Sequence, residues 1–168
     1  AWGCLDWVSS QSRASDKKNE RSAFIVSVPD LLQAPDGLPE SLRNERIERI
    51  ACGGRHVMLI TERGHVYAWG RGVSGCLGTI AVGCAGTPLP IRSLALANIR
   101  VEAIACGGEH SFLLVHGGAL FSFGCGKRGQ LGLGHTENIS MPYQVRLPGK
   151  KANQHTAVAI SCGANHTT

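Results

Sequence analysis

No two of the seven cysteines stand in a C-x-x-C pair, and the count is odd. Neither a paired-cysteine zinc site nor the even disulfide framework of a small secreted domain is therefore indicated. Free thiols of this kind suit a reducing compartment, the cytoplasm or the nucleus. Charge of one sign does not accumulate either. Lys and Arg number 17 against 12 Asp and Glu, a net +5, but the signs are interleaved, as in Arg43, Glu45, Arg46, Glu48 and Arg49. Only Arg146, Lys150 and Lys151 form a basic group without acids nearby. A charge-free run extends from Gly72 to Ile91, long enough to cross a bilayer. Its five glycines, together with Pro88 and Pro90, make it a turn-rich segment and not a membrane helix. No signal peptide is visible. The 22 glycines have no three-residue period, which excludes collagen.

The chain does contain an internal repeat. Ile50-Ala51-Cys52-Gly53-Gly54-Arg55-His56 returns 54 positions later as Ile104-Ala105-Cys106-Gly107-Gly108-Glu109-His110. The offset then holds without a gap. Gly64 falls on Gly118, Trp69 on Phe123, Gly70, Gly72 and Gly75 on Gly124, Gly126 and Gly129, and Pro88 on Pro142. Between 50–91 and 104–145, 14 of 42 positions are identical. A third copy starts at Ile160-Ser161-Cys162-Gly163-Ala164-Asn165-His166, and Ala1-Trp2-Gly3 matches Ala68-Trp69-Gly70. The chain thus begins and ends inside a repeat and reads as a fragment of something longer.

Each repeat divides into short apolar runs bounded by glycine, the mark of β-strands. The predicted strands are 47–52, 56–61 and 65–69 in one copy and 101–106, 111–115 and 119–123 in the next. A fourth strand is expected after each proline, over 89–94 and 143–147. Gly64 and the pair Gly117-Gly118 suit hairpin turns, because glycine accepts positive φ. Four short strands per unit describe a propeller blade, and a lone blade cannot bury both faces, so blades must stack. The fold class is all-β: four-stranded antiparallel blades in an incomplete propeller. The expected divisions are a partial blade at 1–46 with a polar insertion at 9–22, blades at 47–99 and 100–156, and the start of a further repeat at 157–168. Residues 24–28 suit a strand of the first partial blade, and 40–49 hold a short helical turn.

The sequence resembles the regulator of chromosome condensation repeat family. The residues that carry the resemblance are the stretch Ile104 to Ser111, Phe123-Gly124, Gly129-Gln130-Leu131-Gly132-Leu133-Gly134, and Pro142 with Val145. That family combines an apolar-Ala-Cys-Gly-x-x-His-Ser/Thr start, a Trp-Gly strand end, a Gly-Gln-Leu-Gly loop and a later Pro-x-x-Val. The chain departs from it at Phe123, where the family has Trp, and at Cys76, the counterpart of Gln130. WD repeats are shorter, about 40–45 residues, and kelch repeats run to about 50.

Three kinds of motif invite a chemical reading. Gly70-Arg71-Gly72-Val73-Ser74-Gly75 and Gly124 to Gly129 both fit G-x-G-x-x-G. A dinucleotide fold requires this loop to open a helix, whereas here further glycines and a proline follow. His56, His110 and His166 occur once per repeat, too far apart to converge on one metal, and suit a structural role bonding backbone near the blade centre. Cys52, Cys106 and Cys162 read as small buried apolar residues. With Gly53, Trp69, Gly70, Gly107, Phe123, Gly124 and Gly163 these complete the structural repeat positions. Tyr67 and Trp69, like Phe121 and Phe123, share one sheet face by alternation and belong to the core.

No catalytic residue, metal or cofactor is assigned, and neither a small-molecule substrate nor a membrane is expected. The leading expectation is a protein-interaction module in a larger intracellular protein. Three alternatives come from the family resemblance: nucleotide exchange on a Ran-type small GTPase, docking on chromatin or nucleic acid, and partner recruitment for a ubiquitin ligase. The charged residues inside glycine-dense turns, Arg71, Lys127 and Arg128, are the candidate contact residues.

Overall fold

The computed structural model describes residues 39–80, 83–93, 98–147 and 156–168. The polar insertion at 9–22, the strand expected at 24–28, and Lys150 and Lys151 lie outside the described residues. A one-turn helix, α1 (Glu40–Arg43), leads into eight strands. These are β1 (Ile47–Cys52), β2 (His56–Thr61), β3 (Val66–Arg71), β4 (Cys84–Pro90), β5 (Val101–Cys106), β6 (His110–Val115), β7 (Leu120–Gly124) and β8 (Ile139–Val145). They form two antiparallel sheets, each with its strands in sequence order, β1-β2-β3-β4 and β5-β6-β7-β8. No closed ring is present among the described residues.

The repeat governs even the irregularities. Both first hairpins bulge at the same repeat position, between Ile47 and Arg49 and between Val101 and Ala103. The pairing of third with fourth strand also shifts at one repeat position, between Ala68 and Gly70 and between Ser122 and Gly124, at Trp69 and Phe123. Bulges of this kind bend a strand and increase its twist. Gly64 stands at φ +80° in the β2–β3 turn, and an added Cβ would meet Arg100.

The middle strands are buried on both faces. Every residue of β6 is covered, as are His56, Met58, Leu59, Ile60 and Thr61 of β2 and Val66–Trp69 of β3. A sheet wetted on one side would alternate instead. The reason is stacking: β5 packs against β1 and β2, and a single apolar cluster joins Met58, Ile60, Tyr67 and Trp69 of the first sheet to Val101, Leu113, Val115 and Phe123 of the second. Leu42 of α1 is buried in the same cluster.

Two expectations need correction. The fourth strands run Cys84–Pro90 and Ile139–Val145, so Pro88 and Pro142 lie inside them and not before them. The fourth strand is the outer edge of each sheet, where a residue lacking an N–H can face away from its neighbour. Cys52 is exposed, and Cys106 and Cys162 are half-buried, instead of uniformly buried. The position faces the adjoining sheet, so its burial depends on the neighbour. Cys106 reaches the first sheet, its thiol 3.4 Å from the Ala51 carbonyl oxygen, whereas no described strand covers Cys52.

Candidate functional site

The residues that repeat in sequence meet where one blade joins the next. Glycine three residues before each histidine lets the imidazole lie against the backbone. A Cβ on Gly53 would strike the His56 ring and the Gly107 carbonyl, one on Gly107 the His110 ring, and one on Gly163 the His166 ring. The turn that holds them is closed in the same way three times, Gly53 N–H to the His56 carbonyl, Gly107 to His110 and Gly163 to His166, at 2.7–2.9 Å. Blade is tied to blade by Gly54 N–H donating to the Gly107 carbonyl (3.0 Å) and Gly108 N–H to that of Ala164 (3.1 Å).

Each buried imidazole then reaches a hydroxyl of the next repeat. His56 Nε2 lies 2.7 Å from Ser111 Oγ, and His110 Nε2 lies 3.0 Å from Thr167 Oγ1. Ser111 donates its one proton to the Cys76 carbonyl at 2.9 Å, and Thr167 donates to the Gln130 carbonyl at 3.3 Å. The hydroxyl must therefore accept from the ring, which sets the Nε2–H tautomer and leaves Nδ1 as a bare acceptor. Neither Nδ1 has a hydrogen-bond partner. The sequence suggested that the imidazole would bond backbone. His110 does interact with the His166 backbone, and at both junctions a Ser or Thr hydroxyl completes the link to the carbonyl of the glycine-rich loop.

Electrostatics follow from this enclosure. Burial pushes the His56 imidazole down to about 4, with a smaller contribution from His110. His110 is also lowered, by burial first, with His166 opposing through its backbone and assisting through its charge. Both rings are neutral near pH 7. Burial raises the Cys106 thiol well above its ordinary value, and the nearby Cys162, Cys52 and Cys76 push it further. A thiol so raised is protonated and a poor nucleophile. Among the described residues no group of three or more His, Cys, Asp and Glu is arranged to hold a metal ion, and no helix is long and apolar enough to cross a membrane.

The candidate contact residues stand at one end of the blades, but Arg71, expected inside a glycine-dense turn, belongs to β3, where it pairs with Cys84 of β4. Arg71 closes β3 and is exposed, and its N–H bonds the Arg55 carbonyl at 2.8 Å. Lys127 and Arg128 are exposed on the corresponding loop after β7, where Gln130 Oε1 accepts from the Arg128 N–H at 2.7 Å. Arg146 is exposed as well. Between these loops lies an ion pair across the blade junction, Arg55 to Glu109 at 2.5 Å, with Ser74 Oγ donating to the other Glu109 oxygen at 3.4 Å. The glycine-dense segments turn tightly and open no long helix. The first holds a single 3-10 turn, Val73–Gly75, with Gly70 and Gly75 at φ +108° and +83°.

Reading the sequence did not find the hydroxyl partners Ser111 and Thr167, nor the Arg55–Glu109 pair. The first was within reach, since both hydroxyls directly follow the repeat histidine. The second was not, because Arg55 and Glu109 occupy one repeat position, where the third copy has Asn165, and only stacking brings the two together.

Comparison with known proteins matches these features to one family. The model of the regulator of chromosome condensation (RCC1) repeat matches residues 63–114 and 117–168, and a second RCC1 repeat model matches 47–76 and 101–130. Human "Probable E3 ubiquitin-protein ligase HERC3" is 39% identical over 106 residues, 62% of this chain and 10% of that protein. The Arabidopsis thaliana "RCC1 domain-containing protein RUG3, mitochondrial" is 37% identical over 129 residues, 75% of this chain and 28% of that protein. The chain therefore spans a minor part of each relative. Prp20p from Saccharomyces cerevisiae, whose structure is described together with its binding properties to Gsp1p and histones, superposes with a TM-score of 0.66 at 20% identity, covering 78% of this chain and 31% of that one. By its matched repeats and its stacked four-stranded blades, this chain belongs to the regulator of chromosome condensation repeat family of β-propellers.

Proposed function

We propose that this part of the propeller is a protein-interaction module whose contact surface is the rim made by the ends of the third strands and the loops that follow them. The observation that carries the reading is the placement of Arg71, Lys127 and Arg128. All three are exposed at the same end of a sheet pair whose middle strands are buried on both faces, Arg71 at the end of β3 and Lys127 and Arg128 on the loop after β7. A backbone already ordered on a rigid scaffold loses little further freedom when a partner docks, which leaves only the charged side chains to be ordered. In this role the chain needs no catalytic residue and no cofactor of its own. None of its six described cysteines forms a disulfide with another, which supports a cytoplasmic or nuclear setting.

The experiment is capture of partners by the full-length protein with and without Arg71→Ala, Lys127→Ala and Arg128→Ala combined. A partner retained by the native protein and lost by a folded triple variant supports the reading. Retention by both, or unfolding of the variant, overturns it. The same pair of proteins separates the narrower roles. Faster release of a labelled guanine nucleotide from a Ran-type GTPase would identify exchange activity. DNA binding that weakens steeply with salt would identify phosphate contacts, with Arg146 as the first residue to replace. Recruitment of a ubiquitin-ligase substrate would appear among the captured partners.

A further inference from the structure

A cavity of about 270 Å³ opens at the opposite end of the first blade, where α1 meets the β2–β3 turn. Leu42 anchors α1 in the core, and the chain that leaves the helix carries Glu45 back over β3, its N–H bonded to the Leu42 carbonyl at 3.1 Å. Glu45, His65, Tyr67, Ile91, Arg92 and Ile99 are among the residues that line the space. The Glu45 side chain is only 7% exposed. One carboxylate oxygen, Oε1, is 2.6 Å from His65 Nδ1. The other, Oε2, is buried and has no hydrogen-bond partner. A buried carboxylate oxygen without a donor is costly to the fold. At the wall of a cavity, it is offset when an occupant supplies the donor.

We propose that this cavity is a binding site for an alkylammonium group, the chemistry of a lysine side chain, with Glu45 as its counter-ion. The apolar wall of Ile91 and Ile99 suits a methylene stem, and the Tyr67 ring adds an aromatic surface favourable to a cation. Arg92 also borders the site, but it is exposed, so its charge is screened by solvent while that of the enclosed Glu45 is not. This site is independent of the rim residues Arg71, Lys127 and Arg128, which lie at the other end of the strands.

The test uses three probes of one shape: N-acetyl-lysine methylamide, the uncharged norleucine analogue and the glutamate analogue. Binding is followed by the methyl NMR signals of Ile91 and Ile99 in the intact chain. Shifts saturating in the millimolar range with the lysine probe, at least tenfold weaker with the other two, are expected. The Glu45→Gln variant should lose that preference. Equal binding of the norleucine probe, preference for the glutamate probe, or no shift with any of them overturns the assignment. The comparison among probes needs only the native protein, so it decides the matter even where Glu45→Gln does not fold.

Discussion

His56 and Ser111 stand 55 positions apart in sequence and 2.7 Å apart in space, and their contact is the pivot of the blade junction. Neither residue is exposed to solvent. The serine is simultaneously bonded to the Cys76 carbonyl, so three segments from two blades converge on one hydroxyl. Ser111→Ala removes the acceptor of a buried ring N–H and the donor to a buried carbonyl. The loss should be about 1–3 kcal/mol of unfolding free energy. Ser111→Thr should lose less, because Thr167 fills the same repeat position at the next junction. Denaturant midpoints of the two variants check this.

The same pair sets a response to acid. His56 titrates near 4 in the folded chain and near 6.5 when unfolded. Between those values the unfolded chain binds more protons, so unfolding free energy rises with pH there and falls as the medium is acidified. The contribution of His56 is fully present above about pH 6.5 and is lost by about pH 4. It amounts to roughly 3 kcal/mol. His110, lowered in the same direction, adds to it. Stability measured across this window should fall steeply in the native chain and less steeply in His56→Gln. A flat profile would contradict the burial seen here.

Gly107 should tolerate no side chain. An added Cβ would collide with the fully buried His110 ring. Gly107→Ala should cost at least about 3 kcal/mol, the scale of a severe core overpacking. Gly117 is the control. It has φ +88° but nothing within reach of a Cβ, so Gly117→Ala carries backbone strain alone and should cost about 1–2 kcal/mol. Thermal midpoints of the pair distinguish collision from strain.

The Arg55–Glu109 pair bridges two blades but is partly wet, with 47% and 31% of the two side chains exposed. A double-mutant cycle with alanine at both positions should therefore return a coupling below about 1 kcal/mol, despite the short contact. A larger value would show that the rim is dry enough for charge to help hold the blades together.

Much of the fold could be read from the residues. The strands 47–52, 56–61 and 101–106 were placed by glycine and by β-branched runs, and the structure has them at Ile47–Cys52, His56–Thr61 and Val101–Cys106. The fourth strands were displaced because proline was taken as a boundary, and only the sheet shows that its missing N–H points outward. Cys52 and Cys106 are alike in sequence but not in exposure, since a residue on a blade face is buried by another blade and not by its own. The hydroxyl junction and the Glu45 cavity depend on segments 20 to 57 positions apart coming together, which no local pattern encodes.

The loop after β3 leans forward. Gly75 lies against Ser140 of β8, Gly78 against the Phe123 ring of β7, and the Cys76 carbonyl receives the proton of Ser111. Each unit thus overlaps its successor in the manner of roof tiles laid in one direction. Removing a unit strips the cover from the loop of the one before it and leaves its follower without the overlap it had. Reordering or deleting repeats should therefore damage such an array unequally on its two sides.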